Sequence, residues 1–249
     1  MVTHPVLAAF HRALSTHTGP GMAPVPLADF AGMLGLDGLG LLLSPSGGPA
    51  QLVQSYGERT LALEDLQQVQ GQGPSLDAAK HGALLLVPDI RVLTGDRWPG
   101  LLAAVEALDV RAVFAFPVRV GIIGLGALTG HRSRPGEMSI AQLTDAFHLA
   151  DTLAQLTIAT AAHADRPGTT LLDEPGLHFA EVHQATGMLA AQLDTGCDHA
   201  LVRLRGHAFS HGRPLLEVAR DVLTRRLRLD LDGDAGDAGD AGDAGDAPR

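Results

Sequence analysis

Between residues 177 and 229 the chain concentrates the side chains best suited to grip an anion, seven Arg against five acids, with five His besides. A guanidinium presents five donors in a planar fork, so Arg203, Arg205, Arg213 and Arg220 offer the chemistry that neutralises phosphates. The rest of the chain has the opposite sign. Residues 1 to 176 hold ten basic against sixteen acidic residues, and the stretch from Asp230 onward holds seven Asp and one Arg. The formal net charge of -10 argues against a polyanionic partner for the chain as a whole, but not for this one segment.

Other residue patterns that carry chemistry are weaker. His207 and His211 have the four-residue spacing of a two-histidine metal half-site, yet no Glu lies between them in the HExxH manner, and a solvent-facing pair is the better reading. Gly124, Gly126 and Gly130 hint at a dinucleotide loop, but the third glycine comes one residue late and no acid follows about twenty residues on, so glycines inside a sheet account for them. Asp230, Asp232 and Asp234 mimic the start of a calcium loop, with Ala235 and Ala241 where Gly and Glu are required. A lone cysteine, Cys197, closes no internal disulfide and builds no thiolate cluster. With no nucleophile elbow, P-loop or paired-Cys motif, neither catalysis, a metal nor a cofactor is expected.

Three short amphipathic helices must position the basic side chains. The first buries Val182, Ala185, Leu189 and Leu193, the second Leu201, Leu204 and Ala208, and the third Leu215, Ala219 and Val222. Gly212 closes the second and Pro214 opens the third. Upstream, apolar runs at 39–43, 52–56, 84–88, 112–117 and 122–128 read as strands, with helices over 61–69, 75–81 and 98–108, the second capped by Ser75. The fold class is α+β. A long helix over 139–162 carries one stripe of Ile140, Leu143, Phe147, Ala150 and Ala154 and another of Leu149, Leu153 and Leu156, which implies two partners: its own sheet and a second subunit, or else full burial in its own domain. Composition divides the chain into an N-terminal segment 1–24, a domain 25–164, a linker 165–176, the helical unit 177–229 and a tail 230–249. The tail repeats Gly-Asp-Ala five times and is expected to be disordered.

The helical unit resembles an ANTAR module, a small RNA-binding antitermination domain. Ala185-Thr-Gly-Met-Leu189, Ala200 with Leu204-Arg-Gly-His-Ala-Phe209, and Glu217-Val-Ala219 carry the likeness in the right order over some fifty residues. It implies a partner, paired hairpins in nascent transcripts, and action as a homodimer. Gln184, Thr186, Arg203, Arg205, His207 and Arg213 become the candidate RNA-facing residues, while Ala185, Gly187, Ala200, Leu204, Ala208 and Ala219 are the motif's packing positions. Arg225, Arg226 and Arg228 suit a helix C-terminus as much as RNA. The segment departs from the family where many members carry Lys and it has Thr186, and where they carry a basic residue and it has Gln192. Each absent cation removes about one unit of salt-dependence slope.

Residues 25 to about 160 resemble a GAF domain, a sensor fold of antiparallel sheet and flanking helices. The likeness rests on Leu61-Ala-Leu-Glu-Asp-Leu-Gln67, Gly71-Gln-Gly-Pro-Ser75, Leu85-Leu-Val-Pro-Asp89, Arg97-Trp-Pro99 and Val110-Arg-Ala-Val-Phe-Ala-Phe-Pro117. It implies a small-molecule ligand, with Tyr56, Trp98, Phe114 and Phe116 as the candidate pocket and ordinary core as the alternative. A covalent bilin is excluded, since this module has no cysteine. The expectation is a cytoplasmic regulator without membrane association: the GAF-like domain senses, the long helix relays, and the helical unit binds RNA. An interaction protein that has lost RNA binding and a DNA-binding transcription factor stand as alternatives.

Overall fold

Short runs rich in leucine, valine and phenylalanine build the sheet at the centre of the first unit. The computed structural model describes residues 5–16, 22, 24–44, 50–93, 97–163 and 180–229. The expected linker and the Gly-Asp-Ala tail, with its calcium-like Asp230, Asp232 and Asp234, lie outside them, as do residues 1–4, 17–21 and 23 of the N-terminal segment. The chain divides into two units, one ending at Ala180 and the other starting at Glu181.

In the first unit, β1 (Gly38–Leu43), β2 (Gln51–Tyr56), β3 (Leu85–Val87), β4 (Ala112–Val120) and β5 (Ile123–Arg132) form an antiparallel sheet in the order β2-β1-β5-β4-β3. Successive side chains point to opposite faces, which sorts β4 cleanly. Phe114, Phe116 and Val118 join Leu39, Leu41, Leu43 and Leu128 in one core, covered by α1 (Pro5–Thr16), α2 (Leu27–Leu34) and α6 (Ile140–His163). Val113 and Ala115 face the other way, into a second core with Leu63, Ala78 and Leu101 from α3 (Glu58–Gln70), α4 (Pro74–His81) and α5 (Pro99–Val105), and with Trp98, the cap of α5. The α+β class holds, and the sheet carries helices on both faces.

Several boundaries differ from expectation for local reasons. Helices α1 and α2 are additional, and Leu7 and Phe10 of α1 sit in the first core beside Phe30 rather than in a separate leading segment. Helix α4 is capped by Gly73 with Pro74 in its first turn, so Ser75 is not its cap but an interior residue whose hydroxyl turns inward. The expected helix 98–108 is α5 followed by a single 3-10 turn, Glu106–Leu108. The strand glycines are accounted for by the sheet: Gly121, at φ +58°, makes the β4–β5 turn, and a Cβ on Gly126 would overlap the Leu42 carbonyl oxygen. On α6, Leu149, Leu153 and Leu156 are buried as one stripe, joined by Ala150 and Ala154 from the other; Ile140 and Phe147 stay on the surface.

The second unit is α7 (Ala180–Leu193), α8 (Cys197–Ser210) and α9 (Leu215–Leu223). Its buried apolar residues are Val182, Ala185, Leu189, Ala190 and Leu193, then Ala200, Leu204 and Ala208, then Leu215, Val218, Ala219 and Val222, largely at the three- and four-residue spacing of facing helix stripes; Leu201, expected among them, is half-buried, and Ala200 takes its place. Gly212 takes the left-handed φ of +59° between α8 and α9, while Pro214 is the cap of α9 and Leu215 its first residue. Among the described residues no helix is long and apolar enough to cross a membrane.

Candidate functional site

The four aromatics do not form a pocket. Phe114 and Phe116 lie in the core under α6, Phe116 edge-on to Phe147, whereas Trp98 is buried in the opposite core and donates its indole N–H to Asp77 at 3.0 Å. Tyr56 ends β2 with 44% of its surface exposed. What separates them is that α5 covers the opposite face of the sheet from α6. A cavity of about 210 Å³ does lie on the α5 side, lined by Ile90, Arg91, Leu93, Leu102, Val105, Glu106 and Val110, with Arg91 and Glu106 paired at 3.1 Å. None of the four aromatics lines it.

The chemically unusual place in this unit is a buried polar cluster between β1, β5 and α3. Thr60, Glu64 and Gln67 recur at four and three residues along α3, so they share one face, and that face points inward. Gly38 and Gly40 of β1 leave the space they need: a Cβ on Gly38 would collide with His131 and Thr60, and one on Gly40 would press on Leu52 and Thr60 and touch Glu64. Thr129 and His131 stand beside them on β5, in register with Gly40 and Gly38.

Hydrogen bonding fixes the protonation states. The Thr60 hydroxyl donates its one proton to the Tyr56 carbonyl at 2.6 Å, so at 3.1 Å from His131 Nε2 it accepts, and that nitrogen carries the ring proton. His131 Nδ1 is left as a buried acceptor with no partner among the described residues. Burial, opposed by Asp37, holds the imidazole neutral by lowering its pKa to about 4. Glu64 accepts from Ser75 Oγ at 2.7 Å through Oε2, while its Oε1 has no partner among the described residues. Burial raises its pKa to about 7 against the opposing influence of the Ser75 hydroxyl and the nearby Gln67 amide. Gln67 accepts from the Ser75 N–H at 2.9 Å; its Nε2, with Gln51 Oε1 and Thr129 Oγ1, is also unpartnered among the described residues. Buried polar atoms left idle cost free energy, on the order of 1–3 kcal/mol each, and call for a reason. Glu64 and Gln67 stand in the quoted motif Leu61 to Gln67, but as candidates they were missed. Their spacing resembles a solvated helix face, and only the glycines opposite could have signalled otherwise.

In the helical unit the structure redistributes the candidate RNA-facing residues. Thr186 is 4% exposed and donates to the Val182 carbonyl one turn earlier at 2.6 Å, so it is a packing residue and not a surface contact. Arg213 pairs with Asp221 at 2.6 Å and reaches Glu217 at 3.9 Å, and Arg220 pairs with Glu181 at 2.7 Å. Those two cations are engaged within the unit. Gln184 is exposed, Arg203 and Arg205 are half-buried on α8, and burial lowers the Arg205 pKa. His207 stacks on His211 with centroids 4.0 Å apart, and burial, with His211 and Arg213 nearby, lowers its pKa. Of the packing positions, Ala185, Ala200, Leu204, Ala208 and Ala219 are fully buried, while Gly187 is exposed. Arg225, Arg226 and Arg228 are exposed beyond α9.

No protein-family model matches the sequence, and no curated protein does. Among solved structures, the chain is similar to the GAF domain of a phosphoenolpyruvate-protein phosphotransferase from Coxiella burnetii (14% identity, 64% of this chain and 93% of that one, TM-score 0.49). It is also similar to the corresponding GAF domain from Acinetobacter (12%, 65% and 95%, TM-score 0.47) and to a free methionine-R-sulfoxide reductase from Thermoplasma acidophilum (17%, 62% and 96%, TM-score 0.42). At these identities and scores the similarities do not establish a family for the chain.

Proposed function

We propose that the chain is a transcription-level regulator in which the helical unit binds hairpin RNA as an antiterminator, while the sheet unit senses a small polar molecule or an assembly state. The observation that carries the RNA reading is how the ANTAR-like signature sorts within α7 to α9. Its small and apolar residues Ala185, Ala200, Leu204, Ala208 and Ala219 are the helix contacts, while Arg225, Arg226 and Arg228 are exposed beyond them and Arg203 and Arg205 are half-buried on α8. Arginine at a surface is what phosphate binding requires. The sensing reading is supported by the idle donors and acceptors around Glu64 and His131, which a polar ligand would satisfy. Homodimerisation, through the exposed Ile140 and Phe147 of α6, belongs to the same proposal.

Binding of the full chain to tandem-hairpin RNA, matched single-stranded RNA and duplex DNA, each over a salt series, tests it. The expected result is tightest binding to tandem hairpins, with a shallow salt slope because Arg213 and Arg220 are tied to Asp221 and Glu181. Absence of a hairpin preference overturns the RNA reading. Preference for duplex DNA replaces it with a DNA-binding factor, and failure to bind any nucleic acid replaces it with a protein-interaction regulator.

A further inference from the structure

The cavity of about 210 Å³ on the α5 side is aliphatic within and charged at its rim. Ile90, Val105 and Val110 are fully buried and form its floor, while the half-buried Leu93 and Leu102 form its walls. Arg91 and Glu106 are exposed and pair with each other at 3.1 Å. Tight turns set both of them. Asp89 caps the 3-10 turn Ile90–Val92 by accepting the Arg91 N–H at 3.1 Å, and its carboxylate is held in turn by Arg111 at 2.7 Å. Glu106 opens the 3-10 turn that follows α5.

Well-packed interiors leave few spaces larger than a water molecule, so a space of this size against fully buried aliphatic side chains calls for an occupant. Aliphatic walls and floor offer no hydrogen bond to a sugar or a polyol. The volume also falls below the roughly 300–1,000 Å³ of pockets for drug-sized ligands, which points to a small molecule with an apolar side chain. At the rim a lone anion would gain Arg91 but face Glu106, and a lone cation would meet the reverse. A zwitterion lying antiparallel to the ion pair meets an opposite charge at each end. In an α-amino acid the nitrogen and the carboxyl carbon are about 2.5 Å apart, so its two charges fit beside the pair without separating it.

We propose that this cavity binds an aliphatic α-amino acid of leucine size, with its carboxylate on Arg91, its ammonium on Glu106 and its side chain on Ile90, Val105 and Val110. The regulatory meaning of the site rests on the sensing reading of the sheet unit, to which it adds a ligand class and a place apart from the Glu64 cluster.

Calorimetric titration of the full chain with L-leucine tests it, beside glycine, isocaproate, which is leucine without its ammonium, and isoamylamine, which is leucine without its carboxylate. Glycine is expected to bind roughly 10- to 150-fold more weakly than leucine, the loss of one buried aliphatic side chain. Isocaproate and isoamylamine should each bind about 5-fold more weakly, the loss of one exposed charge pair. Arg91→Gln lowers affinity for leucine but not for isoamylamine, and Glu106→Gln lowers it for leucine but not for isocaproate. Both residues lie at the surface, so their replacement leaves the fold intact. Glu64→Gln binds leucine as the parent does. Absence of saturable binding by leucine overturns the proposal, as does equal binding by all four compounds. Leucine binding that Glu64→Gln abolishes and the two rim variants leave intact places the ligand in the buried cluster, which overturns the cavity and upholds the sensing reading. Leucine binding with the expected pattern but no effect on hairpin affinity upholds the site and removes its sensing role.

Discussion

Replacing Glu64 by Gln isolates the free energy stored in the buried polar cluster. The carboxyl titrates at about 7 in the folded chain against an ordinary 4.5. An acid whose folded-state pKa lies above its unfolded value favours folding below about pH 4.5, and that contribution is lost as the pH rises through 7. At 1.36 kcal/mol per pH unit the gap amounts to about 3 kcal/mol. A glutamine in the same place can still accept from Ser75 through its amide oxygen and never ionises. The difference in unfolding free energy between Glu64→Gln and the parent is therefore expected to be near zero at pH 4 and to climb to about 3 kcal/mol in favour of the variant by pH 8. Urea unfolding, read by the fluorescence of Trp98, reports on the correct core, since this sole tryptophan shares it with Leu63 of α3. The parent alone would not reveal the effect. His131, with its pKa lowered from 6.5 to about 4, loses stability as the pH falls through that window, so its slope opposes that of Glu64 between about 4.5 and 6.5. Subtracting parent from variant cancels the histidine. A difference that does not change with pH refutes the reasoning, because it would mean that Glu64 ionises in the folded chain as it does in the unfolded one.

Three further outcomes follow from the packing. Arg213→Ala should lower the stability of the helical unit by about 1 kcal/mol, through loss of the Asp221 pair, while the salt slope of RNA binding stays unchanged; thermal melts and the salt series measure the two separately. Thr186→Val should leave hairpin affinity as it is, since the side chain is buried, and cost less than about 1.5 kcal/mol for the lost hydroxyl bond; a clear loss of RNA binding at unchanged stability would contradict the placement. Gly126→Ala should destabilise the sheet unit by about 3 kcal/mol or more in denaturant titration, because the added methyl meets the Leu42 carbonyl at a positive φ.

The strands were legible because short leucine- and valine-rich runs alternate between turn residues, and each observed strand lies within a few residues of its expected place. The three terminal helices and α6 were legible for the parallel reason, a sustained three-and-four spacing. Helix α2 was not: eight residues between Pro26 and Gly35 give too short a window, although Leu27, Phe30, Ala31 and Leu34 have the right spacing. Helix α1 was obscured by His11, Arg12 and the threonines around it. The site was harder. Placing Trp98 with Phe114 requires knowing which sheet face α5 covers, and parity within a strand does not say that. Arg213 and Arg220 look available in sequence because their partners, Asp221 and Glu181, are brought near only by folding. Thr186 looks like a surface polar residue because nothing local reveals that its hydroxyl is spent on the preceding turn.

These misplacements share a cause, and it bears on how the two units differ. Polarity in a sequence is ordinarily read as exposure, yet here Thr60, Glu64, Gln67, Thr129 and His131 are buried, while Val202, Phe209, Ile140 and Phe147 face outward. A fold that hides carboxyl and imidazole groups with idle atoms accepts a stability cost that apolar residues of the same shape would avoid. In the helical unit the pattern is reversed: Arg213 and Arg220 are satisfied internally, and α8 keeps Val202 and Phe209 exposed. The first arrangement suits a small polar molecule enclosed in a core, and the second suits a large one met at a surface. Glu64→Gln therefore probes the first arrangement, and the nucleic-acid titrations over a salt series probe the second.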